Sequence, residues 1–225
     1  IHQVLHPVLK VNRDKKGSLL GLVPPDKDKT EIATMDGIKA ESFISIQVDA
    51  LKEETIEDLQ SALQDLSCRV GVVVKDWLLM RNRLTSIASD LSTNMPQVPL
   101  AQLSEAVQFL RWANDNNFTF LGMREYSIKG KTKNSKLAPK RGTGLGLLRD
   151  TKVEVLRRGK ELTHMTPEVR KFFFSPSPII ITKANIKSDV HRRTYMDYIG
   201  VKLYDEKGKI TGELRIVGLF TSAAY

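Results

Sequence analysis

The sequence of 225 residues holds a single cysteine, Cys68. That excludes an internal disulfide and every multi-cysteine metal site, and it makes a reducing cytoplasm the default setting. No stretch reaches the ~18–20 consecutive apolar residues that a membrane helix needs. Nor does a basic start, an apolar run and a small-residue cleavage site open the chain, since Ile1-His2-Gln3 leads straight into apolar alternation. The four histidines, His2, His6, His164 and His191, never fall at metal-ligand spacing with cysteine or acidic residues. No serine sits at a nucleophile elbow, and no catalytic pair of carboxylates is recognisable. Gly142-Thr143-Gly144-Leu145-Gly146 superficially matches a phosphate loop, but that loop follows a strand and opens a helix. Here the glycines lead into a short strand, and no Lys-Ser/Thr pair follows. The loop 129–141 carries six basic residues and no acidic one, yet lacks the interleaved aromatics of a nucleic-acid surface. Neither a catalytic constellation, a membrane span nor a nucleic-acid partner is expected.

What is present is the composition of an ordinary globular protein, 41% hydrophobic and 27% charged. The net charge of +9 is uneven: zero over 1–50, −3 over 51–116 and +12 over 117–225. The first residue is not methionine and the last fall inside or just after a strand, so both ends read as cut from a longer polypeptide. Residues 2–11 and 18–23, joined by a turn at Arg13-Asp14-Lys15-Lys16-Gly17, predict a hairpin. The stretch 39–48 predicts a third strand, and Pro24-Pro25 opens a charged loop between them. Three strands without a covering helix need a partner layer. From Ile56 to Leu91 apolar residues recur at steps of three and four over five heptads, the seam of a long helix. Asn94-Met95-Pro96 ends it, and 100–116 predicts a second helix, giving a helical hairpin. The seam packs within the chain or against another subunit. Strands are predicted at 118–128 and 143–149, a short strand at 153–156, and a short helix at 167–174.

The ribbon 179–225 holds two alternating runs around Asp205-Glu206-Lys207-Gly208, with Gly208 suited to a left-handed turn position. Pairing Tyr204 with Lys209 puts Ile199, Val201 and Leu203 on one greasy face with Leu214 and Ile216. It puts Tyr198, Lys202 and Tyr204 on an opposite, polar face with Glu213 and Arg215. Asp197 lands on the greasy face, just after His191-Arg192-Arg193. Lys183, His191, Arg192, Arg193, Asp197 and Tyr198 therefore form the candidate site for a small anion or amino acid. The alternative is that Asp197 simply pairs with an arginine or a core-facing amide.

Several motifs occur in order: Asn117-Phe118-Thr119-Phe120-Leu121-Gly122, Gly144-Leu145-Gly146-Leu147-Leu148-Arg149, Ile181-Thr182-Lys183-Ala184-Asn185, Tyr195-Met196-Asp197-Tyr198-Ile199-Gly200-Val201-Lys202 and Val217-Gly218-Leu219-Phe220-Thr221-Ser222. Together they resemble the N-terminal regulatory region of the large bacterial NAD-specific glutamate dehydrogenases, along the whole chain and most strongly from Trp112 onward. Gly122-Met123 stands where Gly-Tyr is expected. The resemblance implies an α+β fold of antiparallel ACT-like or PAS-like sheets separated by a long helical hairpin. It implies a partial ACT-like module at 1–50, the hairpin at 51–116 and a PAS-type or ACT-like module at 117–225. It further implies a non-catalytic regulatory fragment, with no catalytic residue, metal or cofactor of its own. Its parent would be cytoplasmic and homo-oligomeric, would convert L-glutamate to 2-oxoglutarate, and would hold NAD in a downstream catalytic domain. The expected partners are that domain, other subunits and an amino-acid or small-anion effector. The alternative is a purely architectural module without a ligand.

Overall fold

The computed structural model describes residues 1–24, 38–94, 96–129, 136–158, 161–163 and 167–221. Most of the charged loop beyond Pro24, most of the basic loop, His164 and the last four residues lie outside them. The chain forms two compact units, Ile1–Leu59 and Gln60–Tyr225.

The first unit contains β1 (Gln3–Leu5), β2 (Val8–Arg13), β3 (Leu19–Leu22), β4 (Ile38–Ser42) and β5 (Ser45–Gln47). β2 pairs with β3 and β4, and β1 with β5, all antiparallel. These are the three expected strands, two of them broken. Pro7 separates β1 from β2 because it has no N–H to give the ladder, while its carbonyl still accepts Phe43 N–H at 2.9 Å. Asp14 closes the hairpin by accepting Lys16 and Ser18 N–H at 2.9 and 2.8 Å. Val11 is buried, but Val8, Leu20, Leu22 and Ile44 are exposed.

Helix α1 (Glu53–Asn94) runs for 42 residues. Glu53 and Glu54 favour its N-terminal dipole. In the second unit α2 (Leu100–Trp112) follows, and the chain then reverses through Asn116 at φ 58°, a left-handed conformation asparagine tolerates. The sheet comprises β6 (Phe118–Lys129), β7 (Lys136–Pro139), β8 (Leu145–Gly146), β11 (Ile179–Lys187), β12 (Tyr195–Tyr204) and β13 (Ile210–Phe220). Its order is β11-β12-β13-β6-β7, with β8 paired to β6. Outside it lie the hairpin β9 (Leu156–Arg158) with β10 (Glu161–Thr163) and helix α3 (Pro167–Phe174). The expected strand at 143–149 shrinks to β8, because the chain turns at Leu147 and Leu148.

Gly208 adopts φ 73° at the expected turn. Asp205 accepts Lys207 and Lys209 N–H there, at 3.0 and 2.9 Å. The register differs from the simple alternation: Val201 faces Leu214 and Ile199 faces Ile216, after an irregularity at Leu203/Tyr204. A two-residue offset preserves the faces, so Ile199, Val201, Leu214 and Ile216 share one core with Met80, Leu84, Ile87 and Leu91 of α1 and Leu103, Val107 and Leu110 of α2.

Two expectations need correction. The face read as polar is not solvated: Tyr198, Lys202, Glu213 and Arg215 are all buried, beside a second core containing Leu148, Val155, Leu156 and Val217. The sheet is covered on both sides, and Tyr198, Glu213 and Arg215 hydrogen-bond one another in place of water. The seam is also not continuous as a contact. Val73, Met80, Leu84, Ile87 and Leu91 are buried, while Ile56, Leu59, Leu63, Val70 and Trp77 are exposed. Helices and sheet thus share one core within Gln60–Tyr225, instead of forming the separate bodies 51–116 and 117–225.

Candidate functional site

The structure brings three of the six candidate residues together. Lys183 and Asp197 are cross-strand partners on β11 and β12, and Lys183 Nζ lies 2.5 Å from Asp197 Oδ1. Phe220 N–H donates to Asp197 Oδ2 at 3.3 Å, while Arg192 Nη2 donates to the Phe220 carbonyl at 2.7 Å. Asp197 and Arg192 therefore clasp the two sides of one residue at the end of β13. His191, in a left-handed conformation at φ 74°, and Arg193 are exposed beside this clasp. Tyr198 does not join it, because adjacent strand residues point to opposite faces. Its hydroxyl donates to Glu213 Oε1 on the far side of the sheet, and Arg215 Nε donates to that hydroxyl at 3.2 Å.

That far side carries a polar layer the sequence reading missed. Arg215 faces Arg124 across β13 and β6, and both side chains are fully buried. Arg215 Nη2 lies 3.2 Å from Glu213 Oε2, and its guanidinium stacks 4.1 Å from the Tyr126 ring. Burial pushes the Tyr198 hydroxyl well above its ordinary range. Burial likewise lowers the Lys202 ammonium to about 8, though Nζ still donates to the Ser175 carbonyl at 2.5 Å. The signal was in the alternation itself, which placed Arg215, Glu213, Tyr198 and Lys202 on one face. Only the assumption that the face met water hid the layer.

At one end of the same face a cavity of about 410 Å³ opens between α1, the β8 turn, β11, β12 and β13. Its walls include Val72, Val153, Val155, Ile186, Met196 and Val217, and its rim carries Arg69, Arg149, Asp150, Lys187 and Asp189. Two ion pairs tie the rim to its supports. Arg69 Nη2 lies 2.7 Å from Asp189 Oδ2. Arg149 grips the fully buried Asp76 of α1 through Nε and Nη2, both at 2.5 Å. Gly146 N–H adds a third hydrogen bond to Asp76 at 2.8 Å. The Arg149 hydrogen bonds hold the Asp76 carboxyl below its usual range, against the opposing effect of burial. Gly146 sits at φ 56° with its α-carbon against the Leu121 carbonyl, where a side chain would clash. Gly146 thus lets the chain bend over a carboxylate, and its amide is already occupied.

A smaller concavity of about 240 Å³ lies where Glu125 meets Arg83 and Lys140, with Lys140 Nζ at 3.0 Å. Burial alone would raise the Glu125 carboxyl, but Lys140 and Arg83 bring it below its usual range. Among the described lining residues of the larger cavity there is no histidine, cysteine or serine. An apolar pocket with a charged rim is the chemistry of binding, suited to a small amphipathic molecule.

Comparison with known proteins finds similarity to glutamate dehydrogenases. The glutamate dehydrogenase ACT1 domain matches residues 1–63. Over 232 aligned residues the chain is 29% identical to an NAD-specific glutamate dehydrogenase of Halomonas elongata, covering 100% of this chain and 14% of that protein. With the enzyme of the same name from Pseudomonas aeruginosa it shares 29% identity over 228 residues, 13% of that protein's length. A solved ligand-binding domain of a Campylobacter jejuni chemoreceptor, in complex with L-norvaline, aligns with 78% of this chain at 15% identity. It aligns over 65% of its own length, and a TM-score of 0.28 is too slight to bear on fold or ligand. By its ACT1 segment and its likeness along the whole length, the chain is similar to a stretch spanning 13% to 14% of the NAD-specific glutamate dehydrogenases it matches.

Proposed function

We propose that this chain is a non-catalytic N-terminal regulatory module of a cytoplasmic, homo-oligomeric NAD-dependent glutamate dehydrogenase, and that it senses an amino acid or related metabolite. The parent oxidises L-glutamate to 2-oxoglutarate and ammonium, with NAD held by its downstream catalytic domain. The observation that carries the sensing reading is the apolar-walled cavity with its charged rim. The effector is placed there, and not at Lys183, Arg192 and Asp197, because Lys183 already pairs with Asp197 while Asp197 and Arg192 hold Phe220. Arg69, Arg149 and Asp76 join the cavity to α1, so a ligand preferring one position of this helix would shift an equilibrium between two states. Calorimetric titration of the chain with amino acids, 2-oxoglutarate and nucleotides is expected to give saturable heat for at least one amino or oxo acid. A ligand at a hundredfold its Kd should stabilise the fold by about 2.7 kcal/mol. No heat and no thermal shift with any compound would sink the reading.

A second, architectural reading draws on the exposed first half of the α1 seam, including Ile56, Leu59 and Leu63. It holds that this stripe packs against another subunit, and a strictly monomeric chain by light scattering at high concentration would count against it.

A further inference from the structure

The buried polar layer carries more positive charge than its described neighbours answer. Arg124 and Arg215 stand side by side on adjacent strands, both fully buried. Glu213 lies within reach of Arg215, and it also accepts the Tyr198 hydroxyl. Arg124 has less: Nη2 donates to the Asp150 carbonyl, and the guanidinium sits 6.0 Å from the Tyr126 ring. Its Nε and Nη1 have no hydrogen-bond partner among the described residues. Lysine in such a place can shed its proton, as the lowered Lys202 shows, but arginine cannot. A buried guanidinium with two idle donors calls for an anion.

Arg124 does not itself line the cavity but stands one like-facing position along the strands from its wall. Val217, on the cavity wall, pairs with Gly122, and the following like-facing pair on the same strands is Arg215 with Arg124. Two residues of strand separate the pairs, about 7 Å. Asp150, whose carbonyl Arg124 holds, is itself a rim residue. The rim arginines are engaged, Arg69 with Asp189 and Arg149 with Asp76, which leaves Arg124 with donors to offer.

We propose that Arg124 anchors the carboxylate of a small organic acid whose aliphatic part lies in the cavity against Val217, Met196 and Ile186. This rests on the effector reading above and specifies its ligand as a carboxylate. The test compares hexanoate with hexanamide, which differ in the charged group alone, on the 225-residue chain and its Arg124→Met and Arg124→Lys variants. Hexanoate should bind wild type at least tenfold tighter than hexanamide. Arg124→Met should erase that difference, and Arg124→Lys should weaken hexanoate binding while retaining some preference for it. Without ligand, Arg124→Met should melt above wild type, since it removes a buried charge with no counter-charge among the described residues. Equal binding of acid and amide, or an unchanged preference in Arg124→Met, would overturn the anchor and leave the effector reading standing. If neither probe nor any amino or oxo acid binds, both readings fall. An Arg124→Met chain that melts below wild type or fails to fold would place the counter-charge within the protein and overturn the anchor as well.

Discussion

Lys202 shows how one residue was legible in kind and not in role. Its alternation predicted the face it occupies, and that face was read as water-exposed. In the fold it is 1% exposed, with Nζ on the Ser175 carbonyl and 4.7 Å from the Phe172 ring. Nothing in the local sequence announces that α3 and the β8 turn will lie over the strand, because the covering residues are distant in sequence. A pH dependence follows from this burial. The folded Lys202 titrates at about 8, below the roughly 10.4 of an unfolded lysine. Between those values the unfolded chain holds the proton and the folded chain does not, so this residue makes stability rise with pH. Below about 8 both states are protonated and the burial cost is fully present. Urea midpoints of wild type should therefore climb from pH 8 toward pH 10 relative to those of Lys202→Met. Parallel curves for the two proteins would show that Lys202 keeps an ordinary pKa in the fold.

At the scale of elements, α1 separates what periodicity reveals from what it does not. The three–four spacing from Ile56 to Leu91 identified the helix and the stripe along it. It did not reveal that a partner lies against only the second half, where Leu84 is 1% exposed while Leu63 is 52% exposed. Periodicity records which side chains share a face, and burial depends on what that face meets. Leu84→Ala should cost about 2–5 kcal/mol, from lost transfer energy and the cavity left in a packed core. Leu63→Ala should change stability by less than about 0.5 kcal/mol in the monomeric chain, and by more only if the stripe is covered by a subunit. Equilibrium unfolding at low and high protein concentration separates those outcomes. The ribbon's turn and its greasy face are legible because turn residues and alternation are both local signals, while its register and the burial of its polar face are not. The cavity was not legible either, because β8, β11 and α1 come together only through long-range contacts such as Asp76 with Arg149. Asp76 appeared in the sequence as one more charge in a helix, and its burial could not be read from its neighbours.

On the scale of the whole molecule, two units of unequal quality share one helix. Ile1–Leu59 buries Val11 and leaves most of its apolar strand residues exposed, whereas Gln60–Tyr225 holds both extended cores. The three strands, the long helix and the antiparallel ribbon were all visible as hydrophobic patterns. Their grouping into units was not, since the helices looked like a separate hairpin until their buried faces met the sheet. If the second unit owes its stability to its own cores, a chain reduced to 60–225 should retain its antiparallel sheet and helices. Its main thermal transition should stay within about 5 °C of that of the 225-residue chain, since about 1 kcal/mol moves a protein of this size by ~2–4 °C. The cut at Gln60 removes the exposed residues Ile56 and Leu59 and keeps every buried position of α1. The shortened helix retains its ion pair from Asp76 to Arg149 and its contacts from Met80 to Leu91. Circular dichroism and calorimetry on the two chains make the comparison. A shortened chain that is molten, or that melts far below the longer one, would show that residues 1–59 complete the second unit's core.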